Sequence, residues 1–400
     1  MAVTRKHDST SSRQDSQALR LVMRLMAIPG GSGDEGRVAE FIRQQLVRAG
    51  ADEDAIVSDA AHRKTSIDGQ VGNMVFKLPG TIGRQRRMLV AHLDTVPICV
   101  GCRPELRGRR VVAADSDTGL GADNRAGSAV LLSTALELLR GKRPHPPLTF
   151  LWTVQEEIGM QGARHVRLAM LGRPRLAFNF DGGSPEKLTI GATGGYRMAI
   201  EIEGLASHAG GAPEEGISAI GIAGLAIADL VENGWHGQIR KGRGIGTSNV
   251  GVIEGGAATN VVADRVHVRA EARSHDPKFR QKIVQAIEAA FRRAAGKVRS
   301  VKGQRGKVRF VGRIDYEAFR LPLSEPCVEA AVAAVRATGG EPEFAVANGG
   351  LDANWLTARG IPTVSFGCGQ KNIHTVKEQL DVPAFHRARR IALQLAEGKS

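Results

Sequence analysis

The sequence predicts an α/β protein whose layered domain, built on a sheet covered on both faces, is interrupted by a smaller α+β domain. Three observations carry this reading. In the first half, apolar runs without polar alternation, such as "MLVAH" at 88–92 and "LTFLWTV" at 148–154, alternate with helical patterns, as buried strands and their crossover helices do. From about Thr193 the strands turn to polar–apolar alternation in a β-α-β-β-α-β order, that of a ferredoxin-like domain. Beyond Tyr316 the first texture returns. The expected division is a flexible tail over 1–14, a layered domain over 15–192 and 317–400, and an inserted domain over 193–316. Four hundred residues exceed what one core usually serves.

Each element has a local reason. Leu19, Val22, Leu25 and Met26 recur at helical spacing from Asp15 to Ile28, where Pro29 stops the helix. A second helix carries Val38, Phe41, Ile42 and Leu46 on one face, with Ser32 and Glu35 spaced as a capping box. The G-x-G-x-x-G from Gly31 to Gly36 follows a helix, so it lacks the strand a dinucleotide fingerprint requires. Strands are expected at "NMVFKL", "MLVAH", "LTFLWTV" and "RLAFNFD", and helices at Arg125–Leu139 and "GARHVRLAML". In the inserted domain "YRMAIEIEG" is a strand, a helix runs near Ile217 to Val231, and "SNVGVIEG" and "VVADRVHVRAEARS" are strands. A helix from Lys278 to Ala295 and a strand from Lys307 to Ile314 complete it. "LSEPCVEAAVAAVRATG", "PEFAV", "ANWLTARG", "IPTVSFG" and a terminal helix follow.

Composition narrows the function classes. Hydrophobic residues are 42% and charged residues 24% of the chain, ordinary globular usage. The opening "MAVTRKHDSTSSRQ" has no apolar h-region, and no apolar run is long enough to span a membrane. Four cysteines make no disulfide scaffold, and the C-x-x-C at Cys99 and Cys102 has no second pair to complete a zinc site. A cytoplasmic protein is expected. The net charge is +14, and Arg292 to Arg313 holds nine basic residues and no acidic one. With aromatics at 4% there is no stacking platform beside that cluster. It reads as a solvated face or a field for carboxylate-bearing substrates, and nucleic acid is not expected as a partner.

The chemistry-bearing residues gather just past apolar strands. "MLVAHLDTVP" ends in His92 and Asp94, "FLWTVQEEIG" in Glu156 and Glu157, and "RLAFNFDGG" in Asp181. "LGADNRAG" sets Asp123 at the mouth of a helix, where it could serve only as a cap. "IPTVSFGCGQKNIHTVKE" leads from a strand to His374. Singly, each has an ordinary reading as a solvated strand end or surface histidine. Together, at the carboxyl edge of one sheet, so many carboxylates repel one another unless a cation sits among them. Two histidines and three carboxylates suit zinc, or manganese or cobalt.

Taken in order, "HLDTVP", "LGADNRAG", "EEIGMQGA", "FDGG" and the late "HT" resemble the motifs of the dinuclear zinc family that contains peptidase T (tripeptide aminopeptidase), aminoacylase, acetylornithine deacetylase and carboxypeptidase G. "SHAGGAPEEGISAI", "GGAATNVV", "ARSHD" and "GGLDANWL" place it nearest the peptidase T-like branch. The resemblance implies a zinc-exopeptidase-type three-layer catalytic domain whose insert is a lid through which two copies dimerise. It implies two divalent metals, with Asp123 bridging them, His92 and Asp181 on one, and Glu157 and His374 on the other. Asp94 would hold the His92 ring and Glu156 would be the general base for a shared water. His208, Asn260 and Arg273 would bind substrate. The implied reaction is amide hydrolysis, as an exopeptidase on short peptides or as a deacylase of N-acyl amino acids or a carboxypeptidase. Asn124 and Arg125 stand where aspartate and lysine are common, and "SHAG" replaces the commoner His-Pro-Gly; neither departure removes a ligand.

Overall fold

The computed structural model describes residues 2–399, with side chains from Arg13 onward. The chain divides into two compact units, one formed by residues up to Gly191, Arg320–Ala347 and those from Leu351 on, the other by Ala192–Phe319 and Asn348–Gly350.

In the first unit four strands, Leu148–Thr153, Arg87–His92, Leu176–Phe180 and Thr363–Phe366, lie side by side and parallel. Every residue in them is buried, which is why their sequences show no polar alternation. Neighbouring residues serve opposite faces. Trp152 donates its indole N–H to the Ser128 carbonyl on helix Ala122–Gly141, whereas Leu151 joins Val90, Ala177 and Leu356 in an apolar cluster. Burying each such side chain contributes about 1.5–3 kcal/mol. Strand Met74–Leu78 runs antiparallel to Leu148–Thr153, so the sheet is mixed at that flank.

The chain order of the parallel set decides where a ligand can sit. Arg87–His92 lies between Leu148–Thr153 on one side and Leu176–Phe180 on the other, so the chain moves from it to one side and then crosses back to the other. Such a reversal opens a crevice at the carboxyl ends of the strands.

The second unit is an antiparallel sheet of Gly237–Lys241, Gly244–Gly255, Arg265–Ser274, Gly194–Glu203 and Lys307–Tyr316, in that spatial order. Helices Ala219–Glu232 and Pro277–Lys297 pack on it around Ile200, Ile222, Val268, Ile283 and Phe291. Without its edge strand Gly237–Lys241, this is the expected ferredoxin-like order.

Several local expectations are corrected. The first helix runs Ala2–Met26, through the stretch expected as a tail. Ser32 and Glu35 form no capping box: the Ser32 hydroxyl donates to Asp94, and Glu35 gives no side-chain cap to helix Gly36–Arg48. "GARHVRLAML" breaks into helix Gln161–His165 and a 3-10 turn Leu168–Leu171, because the Arg167 amide between them donates to Asp59 instead of continuing the helix. Composition did not mark strand Gly237–Lys241, whose tight turn at Gly242 (φ 57°) lets it fold back on Gly244–Gly255. A small second sheet, Gln370–Lys371, Gln379–Asp381, Arg110–Ala113 and Pro104–Arg107, is also new. No described helix is long and apolar enough to cross a membrane.

Candidate metal centre

The four parallel strands deliver their chemistry where they end. His92 is the last residue of Arg87–His92, Asp181 follows Leu176–Phe180 directly, and Glu156 and Glu157 lie in the turn after Thr153. Asp123 enters from helix Ala122–Gly141, where it and Asn124 depart from helical dihedrals. Freed from the helix, Asp123 caps nothing and sends its carboxylate into the crevice. Its Oδ1 lies 3.2 Å from His92 Nε2 and its Oδ2 3.2 Å from His374 Nε2. His92 Nε2 is 4.0 Å from Asp181 Oδ2, and His374 Nε2 is 3.0 Å from Glu157 Oε2.

Two triads result, His92–Asp123–Asp181 and Asp123–Glu157–His374, each with its donor atoms within 4.8 Å of one another. Asp123 belongs to both. Apart from half-exposed His374, the ligand side chains are largely withdrawn from solvent.

Charge tests whether cations fit. Asp123, Asp181, Glu157, Glu156 and Asp352 face only two imidazoles, an excess of buried negative charge. Burial, then Asp123, pushes Asp181 well above the carboxylate range. Burial does the same to Glu156, with Asp352, Asp181 and Glu157 adding to it. Burial also opposes ionisation of Asp123, but His374 and His92 outweigh it and hold the group well below its ordinary value. Without a cation, then, part of the cluster holds protons in place of metal. The donor set of imidazole nitrogens and carboxylate oxygens suits zinc and its neighbours.

Asp94 supports this centre from beneath. It lies 3.3 Å from His92 Nδ1 through Oδ1 and accepts the amides of Glu156 (3.0 Å) and Glu157 (3.1 Å). The Asp94 backbone carbonyl accepts from His92 Nδ1 at 3.0 Å and fixes the tautomer that points Nε2 at Asp123, while the Asp94 carboxylate holds the turn bearing both glutamates. Asn124 donates to the Phe180 carbonyl at 2.9 Å, next to Asp181. Arg125 is buried and donates to the carbonyls of Leu93 and Gly30.

Three further buried acids, none of them expected to act here from the sequence, stand at the site. Asp352 accepts from the Thr153 hydroxyl, and burial raises it to about 6. Glu378 accepts the amides of Leu120, Gly121 and Asp123. Glu35 accepts those of Gly33 and Gln155 at 3.0 and 2.9 Å through Oε1, while its Oε2 has no partner among the described residues. Burial, then the charge of Asp94, raises Glu35 from 4.5 to about 7. Between these values the folded chain keeps a proton the unfolded chain has lost, so stability falls as pH rises from about 4.5 through 7. At 1.36 kcal/mol per unit the penalty is about 3 kcal/mol above pH 7. Glu35→Gln keeps the accepting oxygen and is expected to melt higher than the wild type at pH 8. Melting curves with chelator present should show the difference closing below about pH 5, and a pH-independent difference would exclude Glu35 as its source.

The other expected site residues lie in the second unit. His208 is exposed, and its Nδ1 accepts the amides of Gly210 and Gly211 at 3.1 and 3.0 Å, which leaves the proton on Nε2. The Ala209 amide donates to the Asn260 carbonyl and brings those two segments together. Arg273 is bidentate to Glu271, both contacts 2.9 Å. Part of the basic cluster is paired: Arg292 with Glu288, Arg293 with Asp229, Arg309 with Glu201. Cys99 and Cys102 are buried free thiols outside both triads.

The model of the peptidase family M20/M25/M40 matches residues 88–398, which include both triads and Glu156. The chain belongs to this family. Among family members, it is 27% identical to carboxypeptidase G2 of Pseudomonas sp. (strain RS-16) over 422 aligned positions, covering 100% of this chain and 95% of that one. The solved structure of a tripeptidase from Staphylococcus aureus superposes with a TM-score of 0.86 at 28% identity, over 96% of this chain and 98% of the other. Aminopeptidase PepT from Bacillus cereus gives 0.82 at 28% identity over the same shares. The chain is a metal-dependent M20 peptidase with an α/β fold.

Proposed function

We propose that this M20 peptidase is an exopeptidase of the tripeptide aminopeptidase kind, removing residues from short peptides with a free amino terminus. The observation that carries the reading is the division of Asp123, one oxygen toward His92 and the other toward His374, with Glu156 close by and outside both triads. The likeness to a tripeptidase and an aminopeptidase supports the choice of substrate.

His92, Asp123 and Asp181 would hold one divalent cation, and Asp123, Glu157 and His374 the other; zinc suits the donors best, with manganese or cobalt next. When bound, such a pair acidifies water and polarises the scissile carbonyl. Glu156 supplies the proton chemistry: its carboxylate takes the proton of the attacking water and returns it to the leaving nitrogen. Asp94 keeps that base in place through the amides of the Glu156–Glu157 turn. His208, through its Nε2–H, is proposed for the developing oxyanion, and Asn260 and Arg273 for the substrate backbone or carboxylate.

The helix Ala219–Glu232 leaves Ile220, Leu225 and Val231 exposed, which supports a homodimer through this lid unit. Four free thiols suit a reducing cytoplasm.

A panel of tripeptides, dipeptides, N-terminally blocked peptides and N-acetyl amino acids, offered to the metal-replete enzyme, tests the reading. Release of the amino-terminal residue from free tripeptides is expected to dominate. Equal or faster cleavage of blocked substrates would replace it with the deacylase or carboxypeptidase action suggested by the likeness to carboxypeptidase G2.

A further inference from the structure

His374 is the one ligand that comes from an exposed loop. It sits between the short paired strands Gln370–Lys371 and Gln379–Asp381, and residues 371–377 are exposed throughout. Its own backbone has φ 63° and that of Asn372 φ 53°, conformations that non-glycine residues keep only where the surroundings impose them. The loop's internal bonds, Asn372 to Lys377 and Thr375 to Asn372, shape it without attaching it to anything.

Attachment comes from the two residues that bracket it. Gln370 and Glu378 are 4% and 2% exposed, and both bond to the same neighbour, the segment 120–124 that carries Asp123. Gln370 Nε2 donates to Asn124 Oδ1 at 2.9 Å and to the Ala122 carbonyl at 3.3 Å. Glu378 Oε2 accepts the amides of Leu120 (2.9 Å) and Gly121 (2.8 Å) and the Cys99 thiol (3.3 Å), while Oε1 accepts the amide of Asp123 itself at 2.9 Å. One carboxylate thus satisfies three amides at the entrance of helix Ala122–Gly141.

We propose that Glu378 is a positioning residue for the metal centre: its carboxylate fastens the His374 loop to the Asp123 segment, so that two ligands from distant parts of the chain meet at a fixed separation. The proposal rests on the two-metal reading above. The Cys99 thiol is part of the same clamp, which gives the C-x-x-C a use that is neither redox nor metal binding.

The test compares zinc binding by wild-type and Glu378→Gln protein, stripped with chelator and titrated calorimetrically, with metal counted by mass spectrometry. The glutamine keeps the size but turns an N–H₂ toward backbone N–H donors. At least one zinc equivalent should bind about ten- to a hundredfold more weakly, and the visible absorption of the cobalt-loaded form should change. The metal-free melting temperature should also fall, because buried amides lose an acceptor, so zinc affinity and the cobalt spectrum, both measured well below that temperature, decide the test, and kcat should fall with little change in KM. Unchanged zinc affinity and an unchanged cobalt spectrum would overturn the proposal. A wild-type chain that takes up no metal would overturn the reading of the centre instead. Should Glu378→Gln not fold, Gln370→Leu, which frees the other leg of the loop, carries the same expectation and the same overturning result.

Discussion

Glu156→Gln is expected to keep its full metal content and to lose about a thousandfold or more in kcat. The substitution replaces a proton acceptor with an amide of the same shape, and positioned acid–base groups contribute about 10²–10⁴-fold each. Here one group serves both transfers, to the base and back to the leaving nitrogen, so the upper part of that range applies. The metals should stay because Glu156 belongs to neither triad. The amide of residue 156, which Asp94 accepts at 3.0 Å, is untouched. Metal analysis alongside steady-state kinetics checks the expectation, and loss of metal together with activity would make Glu156 a ligand.

Asp123→Ala should have the larger effect on the centre itself. Asp123 is the member common to both triads, so its removal leaves each with one imidazole and one carboxylate. Chelator-treated variant should then retain less than about one equivalent of zinc per chain, since a stable site takes about three protein donors or more. Activity should be undetectable. His374→Ala removes a ligand from one triad only, and the metals should titrate unequally in it. If Asp123→Ala binds two equivalents as tightly as the wild type, the shared-ligand arrangement is wrong.

How far the sequence foretold this centre depends on what each residue answers to. His92, Asp181 and the glutamate pair end apolar runs, so the burial pattern announces their position. His374 and Asp123 could be placed only by the order of motifs, because neither follows a strand directly. Glu35 and Glu378 were out of reach in a different way. Each is an acid in a polar stretch, and its role is set by amides far away, Gln155 for Glu35 and Leu120 to Asp123 for Glu378. Ser32 shows the same limit from the other side. Its spacing to Glu35 satisfied a local rule, and a buried carboxylate 62 residues away claimed the hydroxyl instead. The overall architecture was readable because it follows the repeat of hydrophobicity; the hairpin strands were not, because runs of two to five residues are too few to show one.

The parallel set also has an order of assembly. Asn179 donates to Ser365 across the last strand pair, and these residues are 186 positions apart in the chain. A ribosome must therefore complete the whole second unit before strand Thr363–Phe366 can take its place and His374 can reach the crevice. Until then the nascent protein holds an unfinished, acid-rich edge with the His92 triad alone. Completion of the second triad is thus the last step of building the centre, and a chain cut short before the Gln370–Asp381 hairpin would lack both His374 and the helix Val382–Glu397, whose Phe385 and Ile391 are buried in the first unit.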